Sequence, residues 1–348
     1  EDLTAQDALQ YSAPVLFLAT ARRLKQDYQV QAGDSATLIE ICRLLDGLPL
    51  GIELAAAATW YRSLPEIAAG IRNSLDFLSS CCPDIPTRHR SLRAAFDQSW
   101  NLLNQDQKTG IIRLSTFINS FSRQAAEFVA GISETLLAEL QDRSLVRRTS
   151  NARLEVPEPL RPYLAEQLRS CPDSSFPLES RHGEYYIDFL AAQTVELEGP
   201  ELQKAIAVLI PELAHLRQAW NWAVSIGRSD LVDRACRPFF QVLHLRSAFH
   251  EGILAFEGAL ERWQGLPGHE TLITRLQARL AIFYQRTGDT KKAQRLIEES
   301  LQQADSLDLF EEQIFLTTRL AHLLYKQGKK EPARQLAGGG PRLGLGAA

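Results

Sequence analysis

Histidines, cysteines and closely spaced carboxylates are the side chains from which a catalytic or metal site is built, and in this sequence their spacing excludes most such sites. The five cysteines, Cys42, Cys81, Cys82, Cys171 and Cys236, lack the paired C-x-x-C spacings of a zinc site. The seven histidines, among them His89, His182, His215 and His322, are scattered, and neither G-x-S-x-G nor H-E-x-x-H occurs. Glu155 and Glu158 are close in sequence, but acid–base work needs a shaped cleft around the pair, and each reads as a solvated charge. Phosphate transfer needs the backbone amides and lysine of G-x-x-x-x-G-K-[ST]. That pattern is absent, and TGDTKK lacks both the glycine spacing and a preceding strand. What remains is LLDGLPLGIELAAAA at residues 44 to 58, where Gly47 and Pro49 interrupt an apolar run. Proline lacks an amide donor and clashes with the preceding helical turn, so these residues mark a bend. The bend either punctuates two helices or lines a site.

The elements that must hold this bend are helical. Ser12 to Tyr28 reads as a helix with Val15, Leu16, Leu18, Ala19 and Leu24 inward and Arg22, Arg23 and Lys25 outward. A second helix spans Asp34 to Leu45, capped by Asp34 or Ser35, with Leu38, Ile41, Cys42 and Leu45 inward. A third runs from Leu50 through Trp60, with Pro49 in its first turn, where a missing N–H costs nothing. Turn-rich SSCCPDIPTRHR then marks a boundary. Beyond it, Leu92 to Leu103, Gln105 to Phe117, Gln124 to Ala130 and Glu134 to Asp142 are helical by pattern. LVRRTSNARLEV, residues 145 to 156, reads as two strands about a turn, so this region has the order of a winged helix.

CPDSSFPLES, from Cys171, is a second boundary, and the rest of the chain is helical with an internal repeat. LAIFYQRTGDTKKAQRLIEESL from Leu280 aligns with LAHLLYKQGKKEPARQL from Leu320, placing Gly288 on Gly328 and Ala293 on Ala333 at an offset of 40. One unit earlier, Ser247, Gly252 and Ala259-Leu260 match Gly288, Ala293 and Ser300-Leu301 at an offset of 41. A small residue in each turn and another at each crossing indicates stacked helical hairpins resembling tetratricopeptide (TPR) repeats, though longer than their usual unit. Trp220 and Trp222 read as core, because Leu216, Ala219 and Ala223 share their helical spacing.

A net charge of −4, from 38 basic and 42 acidic residues, gives no general attraction to nucleic acid or anionic lipid. Arg147, Arg148 and Arg153 form a basic wing, but the helix before them carries Glu134, Glu139 and Asp142, so direct DNA binding is not expected. No run is apolar enough to cross a bilayer, and the cysteine usage fits a reducing compartment, so the chain is expected to be cytoplasmic. It contains no methionine, opens at EDLTAQDAL as if cut from something longer, and ends in GGGPRLGLGAA, which reads as a linker, a cloning scar or a frame change.

The order LTAQDAL, SAPVLFLATARRL, EICRLLDGLPLGIELAAA and RHRSLRAAFDQSWNLL resembles the signal-transduction ATPases with numerous domains (STAND), in the branch with an NB-ARC type switch, over roughly residues 1 to 337. Bacterial members of that family are often transcriptional regulators. A P-loop domain precedes the region in the family, and the GLPL segment belongs to the lid over the nucleotide, its proline against the adenine. The resemblance therefore implies an adenine-side place for Pro49, with Gly47 permitting close backbone approach. The family often carries Met-His-Asp in the winged-helix hairpin, the histidine sensing a phosphate. The matching run here is Val156-Pro157-Glu158, which makes phosphate sensing from this position doubtful, although bacterial relatives commonly have leucine there. PELAHLRQAWNWAVSIGRSD and RPFFQVLHLRSAFHEGILAFEGALERW resemble the start of the family's sensor arm.

These readings imply a mainly α chain: a helical lid at 1–80, a winged helix with a small β-hairpin at 88–170, the start of a superhelical arm at 175–265, TPR-like repeats at 266–337 and a tail at 338–348. The expected role is regulatory, coupling an effector or partner on the arm to a nucleotide-dependent switch in signalling or transcription. The chain is not expected to be an enzyme or to hold a cofactor itself. ADP or ATP is expected in the full-length parent, and the partners are its upstream P-loop domain and a protein or small-molecule effector. A stand-alone TPR-like interaction scaffold without nucleotide is the alternative.

Overall fold

The computed structural model describes residues 11–26, 28–29, 34–73, 77–78, 91–149, 151–169 and 175–338. The boundary expected at SSCCPDIPTRHR, the LTAQDAL segment, His89, Cys81, Cys82, Cys171 and the tail after Gly338 lie outside the described residues. The fold is mainly α, and the chain divides into two compact units, Glu1–Leu178 and Glu179–Ala348.

In the first unit, α1 (Ser12–Leu24) packs on α3 (Pro49–Ala58), and α2 (Ser35–Leu44) on α4 (Leu64–Asn73). The buried stripe of α1 is Pro14, Phe17, Leu18 and Ala21, at spacings of three and four. This corrects the expected stripe: Val15, Ala19 and Leu24 are exposed, because a segment apolar nearly all round leaves its rotation undetermined by periodicity. The helix also stops at Leu24, where Lys25 turns extended. Leu38, Ile41, Cys42 and Leu45 are buried as expected. The alanines of α3, with Ile52 and Gly51, permit close packing; a Cβ on Gly51 would stand 3.0 Å from Leu45 Cδ2.

The same unit continues with α5 (Leu92–Asn101), α6 (Gln105–Leu114), α7 (Arg123–Ala130) and α8 (Glu134–Asp142). Ser91, Asn104, Ser122 and Ser133 each accept a backbone N–H at the start of their helix, and Asn104 with Gln107 closes a reciprocal capping box. The hairpin is β1 (Arg147–Arg148) against β2 (Leu154–Glu155), antiparallel, with Arg147 opposite Glu155 and Arg148 opposite Leu154. Its strands are shorter than the sequence run, and Leu154 also pairs with Phe121, which joins the hairpin to the loop before α7. A 3-10 turn at Glu158–Leu160 leads into α9 (Arg161–Arg169).

The second unit contains most of α10 (Ser175–Ala191), then α11 (Thr194–Glu198), α12 (Leu202–Leu209) and α13 (Leu213–Ser225), followed by helical hairpins: α14 (Ser229–Leu245) with α15 (Phe249–Trp263), α16 (Glu270–Thr287) with α17 (Thr290–Ser306), and α18 (Phe310–Lys326) with α19 (Lys330–Gly338). Ser229, Glu270 and Phe310 open successive hairpins, reproducing the 41- and 40-residue steps read in the sequence. Ser247, Gly288 and Gly328 occupy equivalent turns and all have positive φ, at 57°, 96° and 82°. The small crossing residues also correspond: Ala293 and Ala333 are buried, and a Cβ on Gly252 would stand 2.4 Å from the Phe283 ring. Trp220 is buried between Phe239 and Phe256, at centroid distances of 4.8 and 5.1 Å, whereas Trp222 is half-buried against Gly183. No helix among the described residues is long and apolar enough to cross a membrane.

Candidate functional site

The bend at Gly47 and Pro49 is built from two backbone devices. At the end of α2, the N–H of Asp46 reaches the carbonyl of Arg43 at 2.9 Å and that of Gly47 reaches Cys42 at 3.0 Å, the paired bonds of a Schellman turn. Asp46 and Gly47 are both left-handed, with φ of 53° and 69°. Leu48 then turns extended, and Pro49 takes the first position of α3, where its missing donor is harmless. Nothing in the chain stands within 4 Å of a Cβ built at Gly47, so within the chain itself the left-handed backbone is what favours glycine.

This bend forms one wall of a cavity of about 550 Å³ lying within the first unit. Leu48, Pro49 and Leu50 face Trp100 and Leu103 from α5 and its end, and Pro157, Pro159, Leu160 and Tyr163 from the segment after the hairpin. The aromatic wall is fixed: Tyr163 packs edge-on to Trp100 at 5.6 Å, and its hydroxyl donates to Asp97 at 2.9 Å. Burial, assisted by that hydrogen bond, holds the Tyr163 phenol above its ordinary pKa. The rim is polar, with Asp46, Arg143, Ser144 and Arg147. Ser144 is a second left-handed residue at a helix end, φ 59°, where the N–H of Leu145 returns to the carbonyl of Leu140. Arg147 bridges the carboxylates of Asp46 and Glu155, tying the bend to the hairpin. Burial works against its charge, but the two carboxylates outweigh it and raise its pKa. An apolar, aromatic-walled cleft of this size with a few polar groups on one side suits a planar organic ligand.

Other residues picked out from the sequence fall elsewhere. Glu158 is a solvated charge, as read, with an ion pair to Arg161, whereas Glu155 is half-buried and held by Arg147, and the two form no acid–base pair. Arg153 is fastened to Ser120 through its side-chain oxygen at 3.0 Å and its carbonyl at 2.7 Å. In α8, Glu134 pairs with Arg123 and Glu139 accepts from Gln107. Cys42 and Cys236 are buried, and burial pushes their thiols up to about 11 and about 12, which makes them unreactive near neutrality. Among the described residues no group of three or more His, Cys, Asp or Glu is placed to hold a metal.

The structure also brings together two histidines that looked unrelated. His182 on α10 and His215 on α13 are buried with ring nitrogens 3.3 Å apart, beside the Tyr186 hydroxyl and Glu212. Only the relative rotation of the two helices makes this pair, and the sequence carries no motif for it.

No family model matches the chain. Over 256 residues, 71% of the chain, it is 28% identical to a candidate HTH-type transcriptional regulator of Mycobacterium tuberculosis, Rv0890c, and equally to Mb0914c of Mycobacterium bovis. An uncharacterized M. tuberculosis protein, Rv0894, is 33% identical over 139 residues, covering 38% of this chain and 35% of its own. The chain spans only 29% of the length of the regulators it matches. Among solved structures, the STAND protein with a tetratricopeptide repeat sensor from Pyrococcus horikoshii, PH0952, aligns over 96% of this chain and 46% of its own, at 14% identity and a TM-score of 0.42.

Proposed function

We propose that this chain is the regulatory and sensor part of a longer STAND-type ATPase, a cytoplasmic regulator in which an effector or partner on the helical arm biases a nucleotide-dependent switch. One observation carries the reading. Pro49 and Pro157, the positions that the resemblance assigns to the adenine side and the phosphate side of a bound nucleotide, are far apart in sequence yet line the same cavity. The remaining walls fit the role, with aromatic and aliphatic groups against a base and Arg143 as a cation on the rim, where Arg147 is already neutralised by Asp46 and Glu155. The similarity to candidate transcriptional regulators supports a regulatory output for the whole protein.

On this reading the helical lid, residues 1–80, and the winged helix, 88–170, close over ADP or ATP that an upstream P-loop domain holds by its phosphates, with Gly47 and Pro49 at the base. The chain contributes no catalytic residue; the phosphate-cradling amides and lysine come from that domain. Direct DNA contact is not part of the proposal. Arg147 and Arg153 are occupied, and α8 presents carboxylates. The test is to extend the chain with the coding sequence upstream of Glu1, purify it, denature it and quantify released nucleotide. About one ADP per chain is expected, with retention at least tenfold weaker in Pro49→Ala. An extended protein that retains none overturns the switch and favours a stand-alone repeat scaffold.

A further inference from the structure

The second unit has its own cavity, of about 560 Å³, formed by α14, α16 and α18 with the end of α11. Its floor is aromatic: Phe240 and Phe315 meet edge to face at 6.3 Å. Phe315 in turn lies under two guanidinium groups, Arg279 at 4.4 Å and Arg319 at 5.1 Å from the ring centroid. The carboxylates of this wall are already engaged. Glu312 is buried and chelated by Arg279, Glu198 is held by Arg237 at 2.6 Å and by Gln241 at 2.6 Å, and Glu311 reaches Arg237 at 3.2 Å. Arg319 differs. It is half-buried, and among the described residues no carboxylate pairs with it or with Arg286 on α16.

The local field is correspondingly positive. Burial, then Arg286 and Arg279, hold Arg319 below the ordinary guanidinium value, and burial, then Arg286 and Arg319, depress His244 on the same wall. Arg319 lines the cavity with its charge half-buried and without a carboxylate partner, and Arg279 and Arg286 add to the positive field around it, a repulsion that an anion at Arg319 would relieve. A second polar group is left open. The Oε1 of Gln241 is buried and accepts no hydrogen bond. A ligand N–H or O–H would satisfy it.

We propose that this cavity is an anion-binding site, in which Arg319 receives the carboxylate or phosphoryl head of a small ligand whose apolar body rests on Phe240 and Phe315. Arg319 supplies a forked donor matched to either head group, and the aromatic floor accounts for selection of an apolar body over a bare ion. The site deepens, and rests on, the reading of the helical arm as the part that receives an effector, but its test does not involve the cavity at Pro49. Loss of ADP retention would remove the switch and leave this site standing; failure here would remove the site and leave the switch.

The test titrates the full chain at low ionic strength by calorimetry with phenyl phosphate, with 3-phenylpropionate and with uncharged 3-phenylpropan-1-ol. At least one anion is expected to bind, and which one does so distinguishes a phosphoryl from a carboxylate ligand. Added salt should weaken that binding, and the alcohol should bind at least tenfold more weakly. Arg319→Gln should reduce affinity about tenfold or more, and Arg319→Lys by less, because it keeps the charge and loses the fork. The exposed Arg286→Gln variant supplies an independent readout if Arg319→Gln alters the thermal melt, and it should weaken binding severalfold. Equal binding of the alcohol, no binding of either anion, or anion binding unchanged in both glutamine variants overturns the site.

Discussion

Asp46 and Gly47 are consecutive left-handed residues, and they meet that demand differently. A β-carbon in the left-handed region costs roughly 1 kcal/mol, a cost glycine avoids and aspartate or asparagine reduces by local hydrogen bonding. Asp46 also gains the Arg147 guanidinium, whereas Gly47 has open space around its α-carbon and no side chain to place. Gly47→Ala is therefore expected to lower stability by about 1 kcal/mol through its φ of 69° alone, and Gly47→Asn by less. Urea denaturation of the two variants checks this, and equal stability of wild type and Gly47→Ala would contradict the backbone explanation. The need for glycine was legible in the sequence, since glycine before proline in an apolar run has few other uses. Its cause was not, because crowding and positive φ demand the same residue. Glu158 is exposed as read, but Glu155 is half-buried against Arg147, a partner set by the hairpin register, which single-sequence patterns do not fix.

Helices with a strong apolar period and a capping residue were legible at nearly their observed bounds, Glu134–Asp142 behind Ser133 being one. Where residues are apolar on every side, as in α1, the element was legible but its rotation was not. The repeat was legible because each hairpin needs a turn residue of positive φ and a small residue at the crossing, and both recur at the period. The two glycines inside α15 separate these effects. Gly252 faces Phe283, and a Cβ there would stand 2.4 Å from a fully buried ring; Gly258 has nothing within 4 Å. Gly258→Ala is expected to stabilise by about 0.5–1 kcal/mol, the ordinary helical advantage of alanine over glycine. Gly252→Ala should destabilise by about 1–3 kcal/mol, because the overpacking exceeds the same advantage. Chemical denaturation of both variants reads the difference, and a stabilised Gly252→Ala would show that the hairpins do not pack through this contact.

At the scale of the whole molecule, the histidine pair between α10 and α13 makes folding sensitive to acid. Burial first, and the neighbouring His215 second, depress His182 from its ordinary 6.5 to about 3. The folded state thus excludes a proton that the unfolded chain accepts below 6.5. Because the folded value is the lower one, the stabilisation is fully present above pH 6.5 and is lost as pH falls toward 3, by roughly 1 kcal/mol per pH unit while the two states differ in protonation. Carboxylates such as Asp230, held at about 2 chiefly by Arg228, also favour the folded state less in acid, so the total slope does not isolate the histidine. The difference between wild type and His182→Gln does, since the variant removes the titrating ring and leaves the carboxylates in place. Urea midpoints followed by tryptophan fluorescence, with Trp220 and Trp222 lying on α13 next to the pair, should fall more steeply between pH 7 and pH 5 for wild type than for His182→Gln. The variant is expected to be the less stable protein at pH 7 and to narrow the gap as acid is added. Parallel profiles would mean that the imidazole takes up its proton within the folded protein, so that α10 and α13 open to water well before the unit unfolds.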